Sequence, residues 1–249
     1  MENPFVRKLQ CGARLTDDDR ALLRSVTTDY EEVPARRDLI REGDVPSDVH
    51  LVLQGLACRY KILPDGKRQI MALFLPGDIC DLHVQILGWM DHSIGTLSPC
   101  RIVRLNYDTV TLLTANPRIN RALWWNTLVD EGTLREWLVN MGQRSADRQI
   151  AHLFCELLFR LRLVGLAKDD RFPLPMTQEE LGDATGLTAV HVNRMLRDLR
   201  NAGLVDVHDR EVVIHDLEAL IDYCDFNENY LHRRDPRVKR GTRQVALVG

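Results

Sequence analysis

The sequence predicts an α+β chain with a small antiparallel β-roll, a long helix and a C-terminal winged helix-turn-helix. Three observations predict it. Between Asp38 and Leu105, short apolar runs recur between turns that carry glycine. Residues 118–143 form one helical stretch without proline. Residues 177–205, TQEELGDATGLTAVHVNRMLRDLRNAGLV, read as two short helices joined by a turn at Gly186 and followed by a strand.

Composition sets the outer limits. The 249 residues are 45% hydrophobic and 28% charged, which is the balance of a folded globular chain. No apolar run approaches the ~20 residues that span a bilayer. The N-terminus, MENPFVRKLQ, lacks the apolar core of a secretory signal. A cytoplasmic protein with no membrane partner is therefore expected. A net charge of -3 excludes a broadly basic nucleic-acid coat but not a local basic patch. Cysteines stand alone at 11, 58, 80, 100, 155 and 224, with no CxxC pair. Free thiols in a reducing compartment are expected, not a zinc or iron–sulfur ligand set.

The first ~30 residues read as helical. Thr16 caps the run DDDRALL, and Asp17–Asp19 suit the positive end of its dipole. After Pro34 the runs are Asp38–Arg41, Val49–Leu53, Ala57–Ile62, Arg68–Leu75, Ser93–Leu97 and Arg101–Leu105. Glu42-Gly43-Asp44, Gln54-Gly55, Pro64-Asp65-Gly66 and Pro76-Gly77-Asp78 punctuate them. Such spacing predicts a roll or small barrel, with a hairpin at Pro64-Asp65-Gly66.

Residues 107–163 read as helical. Trp124, Leu128, Leu134, Leu138 and Met141 fall roughly along one seam, and Trp125, Val129 and Trp137 make a second apolar side. A helix apolar on two sides must bury both, so one side is expected on the roll and the seam on a second copy of the chain. Gly132 interrupts the seam. Gly142–Ser145 breaks the helix, and Ala146–Val164 carries Ile150, Leu153, Phe154, Leu157, Leu158 and Leu161 on a broad apolar face. The expected organisation is an effector roll at 1–116, a dimerisation helix at 117–143 and a winged helix-turn-helix at 144–230. The basic stretch 231–249 is expected to be a disordered tail.

Within the helix-turn-helix, Thr177 and Glu180 have capping-box spacing, Gly186 suits the helix stop, and Thr188 caps the second helix. Val192, Leu196 and Leu199 are its expected buried face, with Asn193, Arg194, Arg197 and Arg200 pointing away. Leu204–Val207 and Val212–Ile214, joined by a polar turn, form the expected wing.

This order of parts resembles the Crp/Fnr transcription regulators over residues 15–220. DLIREGDVPSDVHLVLQGLACRYKILPDGKRQIMALFLPGD is similar to the family's roll, and LSPCRIVRL to its last roll strands. QRSADRQIAHLFCELLFRL resembles the first helix of its DNA-binding domain, and MTQEELGDATGLTAVHVNRMLRDLRNAGLV its recognition unit. The resemblance implies a cyclic-nucleotide-binding-like β-roll (a double-stranded β-helix, or jelly roll). It also implies double-stranded DNA, a second copy and RNA polymerase as partners.

Nucleotide-binding members hold the phosphate with backbone and an arginine, and the ribose with a glutamate, just after the Pro-Gly-Asp turn. Here that cassette is DICDLHVQILGWMDHS, residues 78–93, with Asp78, Asp81, Leu82, Met90 and Ser93 as its degenerate effector positions. No arginine occurs between Arg68 and Arg101, and Met90 or Asp91 falls where the phosphate arginine belongs. A buried phosphate without a cationic partner is costly, so cAMP is not expected to bind by the usual contacts. The effector stays unidentified. Cys11 alone does not match the N-terminal cysteine cluster of the iron–sulfur members, and no haem ligand is assignable.

By the same resemblance, Arg194 is the arginine that reads guanine, a bidentate contact worth about 1–3 kcal/mol of discrimination. Val190 stands where a glutamate is common and is matched to a thymine methyl. His191 and Asn193 are further reading candidates, with Thr188 and Arg197 beside them. Gln178 is a candidate phosphate contact. The expected function is a sequence-specific regulator that binds a pseudo-palindromic site as a homodimer, under a signal sensed by the roll. A constitutive regulator with a degenerate sensor is the second reading. A metal-dependent, cupin-like roll enzyme is a distant third. It would have to use His50, His83 and His92, which lack paired His-x-His spacing. No Ser-His-Asp or Cys-His set is expected, and no Gly-x-Ser-x-Gly elbow occurs.

Overall fold

The computed structural model describes residues 2–82 and 84–233. Helices α1 (Pro4–Leu9) and α2 (Asp17–Ser25) open the chain. A capping box between Thr16 and Asp19 starts α2. Eight strands follow: β1 (Glu31–Val33), β2 (Asp38–Ile40), β3 (Asp48–Gln54), β4 (Ala57–Ile62), β5 (Arg68–Phe74), β6 (Ile79–Cys80), β7 (Ser93–Thr96) and β8 (Cys100–Asn106). They form two four-stranded antiparallel sheets, ordered β1-β8-β3-β6 and β2-β7-β4-β5. These are the two faces of the expected roll.

The six predicted strands are all present. Both β1 and β6 are additions. The first is an acidic, mostly exposed strand of three residues, and β6 has two, so neither carries a readable alternation. Leu63 N–H donates to Lys67 O at 2.8 Å and closes the Pro64-Asp65-Gly66 hairpin. Alternation along β4 and β5 sends Ala57 and Phe74 into the roll and Cys58 and Leu73 outward.

Helix α3 (Tyr107–Ala115) leads to α4 (Pro117–Gln143), which Asn116 caps through Arg118 and Ile119 N–H. The chain breaks at Arg144 and Ser145, and α5 (Ala146–Val164) ends at Gly165 in the left-handed region. The C-terminal part comprises β9 (Arg171–Pro173), α6 (Gln178–Thr185), α7 (Ala189–Asn201), β10 (Val205–His208), β11 (Glu211–Ile214) and α8 (Leu217–Cys224). A 3₁₀ turn, Glu228–Leu231, ends the described chain. The wing is a three-stranded sheet, β10-β11-β9, with Asp209 and Arg210 at positive φ in its tip. Strand β9 is not legible in the sequence, being three residues bounded by proline. From residue 234 on, the expected tail lies outside the described residues, as does His83.

Val129 and Trp137 on α4 are buried, so the second apolar side is the one packed on this chain. Trp124, Leu128, Leu134 and Leu138 stay 49%, 53%, 39% and 61% exposed. Met141 departs from that stripe: it is half-buried, and the Gln69 amide donates to its sulfur at 3.7 Å. Helix α5 is buried nearly all round. The 144–230 segment packs against the roll. Leu56, Cys58, Ile70, Leu73 and Leu97 of the roll share one packed cluster with α5, α6 and α7.

Candidate DNA interface and effector cassette

The helix-turn-helix is built locally. Thr177 Oγ1 accepts from Glu180 N–H at 3.1 Å, and the Glu180 carboxylate accepts from Thr177 N–H at 2.7 Å. Gly186, at φ 72°, takes the left-handed stop. Gly182 is a second requirement, because a Cβ there would sit 2.4 Å from Leu187 O. That close approach sets how tightly α7 folds back on α6. Thr188 Oγ1 accepts from His191 N–H at 3.3 Å and starts α7.

The buried face of α7 is Val192, Met195 and Leu199. Leu196 is only partly buried, which corrects the expected face. At about 100° per residue it lies on the edge of an arc centred on Met195 and Leu199. Val190, Asn193, Arg194 and Arg197 fall at i, i+3, i+4 and i+7 on the opposite, exposed face. His191 is exposed beside them, and Val190 is 80% exposed. Asn193 Nδ2 donates to Gln178 Oε1 at 3.3 Å, so these two act as a unit. Arg194 and Arg197 make no ion pair or side-chain hydrogen bond among the described residues. Arg200, in contrast, pairs with Asp206 at 2.6 Å and props the wing.

The sequence does not reveal how α6 meets the roll. Arg68 on β5 pairs with Asp183 at 2.7 Å, and the Gln69 amide donates to Asp183 O at 2.9 Å. Arg36 lies 3.7 Å from the Glu180 carboxylate. A cleft of about 910 Å³ runs between these elements, bordered by Arg37, Lys67, Thr177 and Thr188.

The effector positions of the cassette do not converge. Asp78 is 5% exposed and does not line the roll's pocket. Its carboxylate pairs with Lys8 of α1 and, at 2.7 Å, with Arg160 of α5. Burial opposes its charge, but Lys8 and Arg160 hold the carboxyl below the usual range. Met90 is buried in the roll's core. Ser93 accepts from Glu42 N–H at 3.0 Å. Only Asp81 and Leu82 line the pocket of about 300 Å³ between the roll and α4, together with His92, Asn126, Thr127 and Asp130.

Arg59 of β4 supplies a cation there from outside the cassette. It pairs with Asp81 and lies 3.3 Å from Asp130. His92 Nε2 is 2.8 Å from the Asp81 carboxylate and Nδ1 is 2.6 Å from Asp91. Burial works against the Asp81 charge, while the His92 hydrogen bond and the Arg59 charge hold its carboxyl below the usual range. The Arg59 guanidinium is thus already matched by two carboxylates, an unfavourable setting for a phosphate. Titration calorimetry with cAMP is expected to give no micromolar binding; a micromolar isotherm would overturn that expectation.

His50 is buried and 3.5 Å from Arg104, apart from His92. Among the described residues no group of three or more His, Cys, Asp or Glu is arranged to hold a metal ion. All six cysteines are free, and the Cys155 and Cys224 sulfurs are 3.9 Å apart. No helix among the described residues is long and apolar enough to cross a membrane.

Comparison with known proteins matches these parts. A model of the cyclic nucleotide-binding domain matches residues 30–116, and a model of the Crp-like helix-turn-helix domain matches residues 148–223. Nitrogen fixation regulation protein FixK of Bradyrhizobium diazoefficiens is 29% identical over 183 residues, 73% of each chain. Transcriptional activator protein FnrL of Cereibacter sphaeroides is 27% identical over 224 residues, 88% of this chain and 89% of that one. The solved structure of FixK2 from Bradyrhizobium japonicum superposes with a TM-score of 0.69 at 23% identity, covering 78% of this chain and 96% of that one.

Proposed function

The chain belongs to the Crp/Fnr family of DNA-binding transcription regulators, and we propose that it binds a pseudo-palindromic site as a homodimer. The observation that carries the proposal is the exposed face of α7, where Val190, Asn193, Arg194 and Arg197 stand together beside the capped starts of α6 and α7. A helix so presented fits the major groove, with Arg194 on base edges and Gln178 on phosphate. The α4 stripe supports the homodimer, since Trp124, Leu128, Leu134 and Leu138 leave a row of large apolar side chains exposed along one helix. RNA polymerase is the further partner we assign on family grounds, and the cytoplasm the compartment. The protein acts by binding, not catalysis.

The roll would set DNA affinity by changing how α4 and α5 meet. A second reading, a regulator active without effector, is favoured by one observation. Arg59 is paired in charge with Asp81 and Asp130, and His92 with Asp81, although the buried Arg59 Nε is left without a hydrogen-bond partner. Selection from random oligonucleotides tests both readings. Two inverted half-sites centred roughly 34 Å apart, one turn of DNA, are expected from the protein alone on the effector-free reading, and only in the presence of its effector on the roll-controlled reading. Leu128→Glu, which puts a charge on the stripe, is expected to abolish recovery of the paired site. Enrichment of a single half-site by the wild-type protein would remove the homodimer from the proposal. Recovery only after adding a cell extract would remove the effector-free reading.

A further inference from the structure

The loop between β6 and β7 holds three large apolar side chains in water: Ile86 is 80% exposed, Leu87 64% and Trp89 67%. Scattered apolar residues on a surface need no explanation, but three within four positions form a patch. The loop is not loose at this point. Met90 is 2% exposed, its N–H donates to Asp44 O at 2.9 Å, and its carbonyl accepts from Gly43 N–H at 2.8 Å. Leu82 and Val84 pack inward on the other side. The outward residues are therefore held outward by an anchored backbone.

Where they stand matters more than their exposure. Ile86 and Leu87 line the same pocket as Asn126, Thr127 and Asp130 of α4. Thr127 is three residues from Trp124, and Asp130 is four from Leu134, so both are direct helical neighbours of the exposed stripe. The loop patch and the α4 stripe thus border each other along one flank. We propose that Ile86, Leu87 and Trp89 dock on α4 of a second copy, making the β6–β7 loop the second half of the dimer interface. The proposal rests on the homodimer reading above.

Symmetry argues for that occupant. When two α4 helices pair about a two-fold axis, whatever flanks the stripe in one copy meets the flank of the other. Size argues the same way. A stable interface buries roughly 800 Å² per partner. The exposed apolar side chains of α4 form a narrow row on one helix, and the loop widens the patch alongside them. Charge is consistent too: the pocket's carboxylates are engaged by Arg59 and His92, which leaves an apolar rim to be covered.

The test is a photo-cross-link in the full-length protein. Trp89→benzoylphenylalanine, made as mixed light and ¹⁵N-labelled dimers, is expected to link residue 89 of one copy to the 117–143 peptide of the other. In sedimentation, Ile86→Glu/Leu87→Glu is expected to raise the dimer dissociation constant about tenfold or more. Cross-links confined to the same chain in a protein that still sediments as a dimer would overturn the loop's role and leave the α4 pairing intact. An unchanged dissociation constant in the double variant, with Leu128→Glu monomeric, would do the same. A wild-type protein that stays monomeric at micromolar concentration would remove the homodimer reading itself. A small apolar compound extracted from the purified protein, with no inter-chain cross-link, would make the loop a ligand lid instead.

Discussion

Arg160→Met is expected to cost about 3–5 kcal/mol of folding free energy, the usual penalty for stranding buried charge. Arg160 bridges two buried carboxylates from distant parts of the chain. Its Nη1 lies 3.0 Å from Glu156 Oε1, and its Nη2 lies 2.7 Å from both Asp78 Oδ2 and Leu73 O. Asp78 is 5% exposed and Glu156 0%. Burial pushes the Glu156 carboxyl above its usual range, against the pull of Arg160, Tyr230 and Trp137. Remove the guanidinium and Asp78 keeps Lys8, while Glu156 keeps the Tyr230 hydroxyl at 3.0 Å and the Trp137 indole at 3.1 Å, neither of them a cation. Either Glu156 takes up a proton or its charge stays unmatched. Adding Glu156→Gln to Arg160→Met is therefore expected to recover part of the loss, since an amide has no charge to strand. Urea midpoints of the two variants against wild type check both statements. A single-variant loss under about 1 kcal/mol would mean that water replaces the guanidinium.

That network also shows where reading a sequence stops. Asp78 belongs to the effector cassette by its place at the end of a Pro-Gly-Asp turn, and the turn is indeed there. Its carboxylate accepts from Leu75 N–H at 2.8 Å. Its other partners, Lys8 and Arg160, lie 70 and 82 positions away, and nothing in local spacing announces them. The same holds for Arg59. Residues 78–93 contain no arginine or lysine, but the antiparallel sheet brings a cation across from β4. Local features are legible because local physics makes them. Capping boxes, glycine stops, two-residue alternation and the face of α7 each depend on neighbours within a few positions. Met195 replaces Leu196 in the α7 core because both are apolar and Leu196 falls at the edge of the buried arc, which the pattern Val192, Leu196 and Leu199 does not reveal by itself. The expected boundary at residue 144 marks a real helix break. It does not mark the edge of a core, since the outward face of β4 and β5 is apolar and is covered by α5 and α6.

Arg194→Ala is expected to erase discrimination while sparing attachment to DNA. A bidentate arginine–guanine contact contributes about 1–3 kcal/mol, and a two-fold dimer makes it twice, so roughly 2–6 kcal/mol of specificity is at stake. That range spans a factor of about 30 to more than 10⁴ in relative affinity. The geometry favours Arg194 over its neighbours as the carrier. Arg200 is engaged by Asp206, and Asn193 by Gln178. Arg197 is one turn further along, towards the C-terminal half of α7. The readers of a recognition helix lie near its N-terminus, so Arg194 is the residue expected on bases and Arg197 the one expected on backbone. The two variants should therefore differ in kind. Arg194→Ala should bind selected and scrambled duplexes with nearly equal affinity at fixed salt. Arg197→Ala should weaken binding to both alike and lower the salt slope by about one for each phosphate it no longer neutralises. Fluorescence anisotropy over a salt series separates these outcomes. Retained preference in Arg194→Ala, with loss in Arg197→Ala, would shift the reading face one turn along α7 and reassign Val190 and Asn193 to the phosphate backbone.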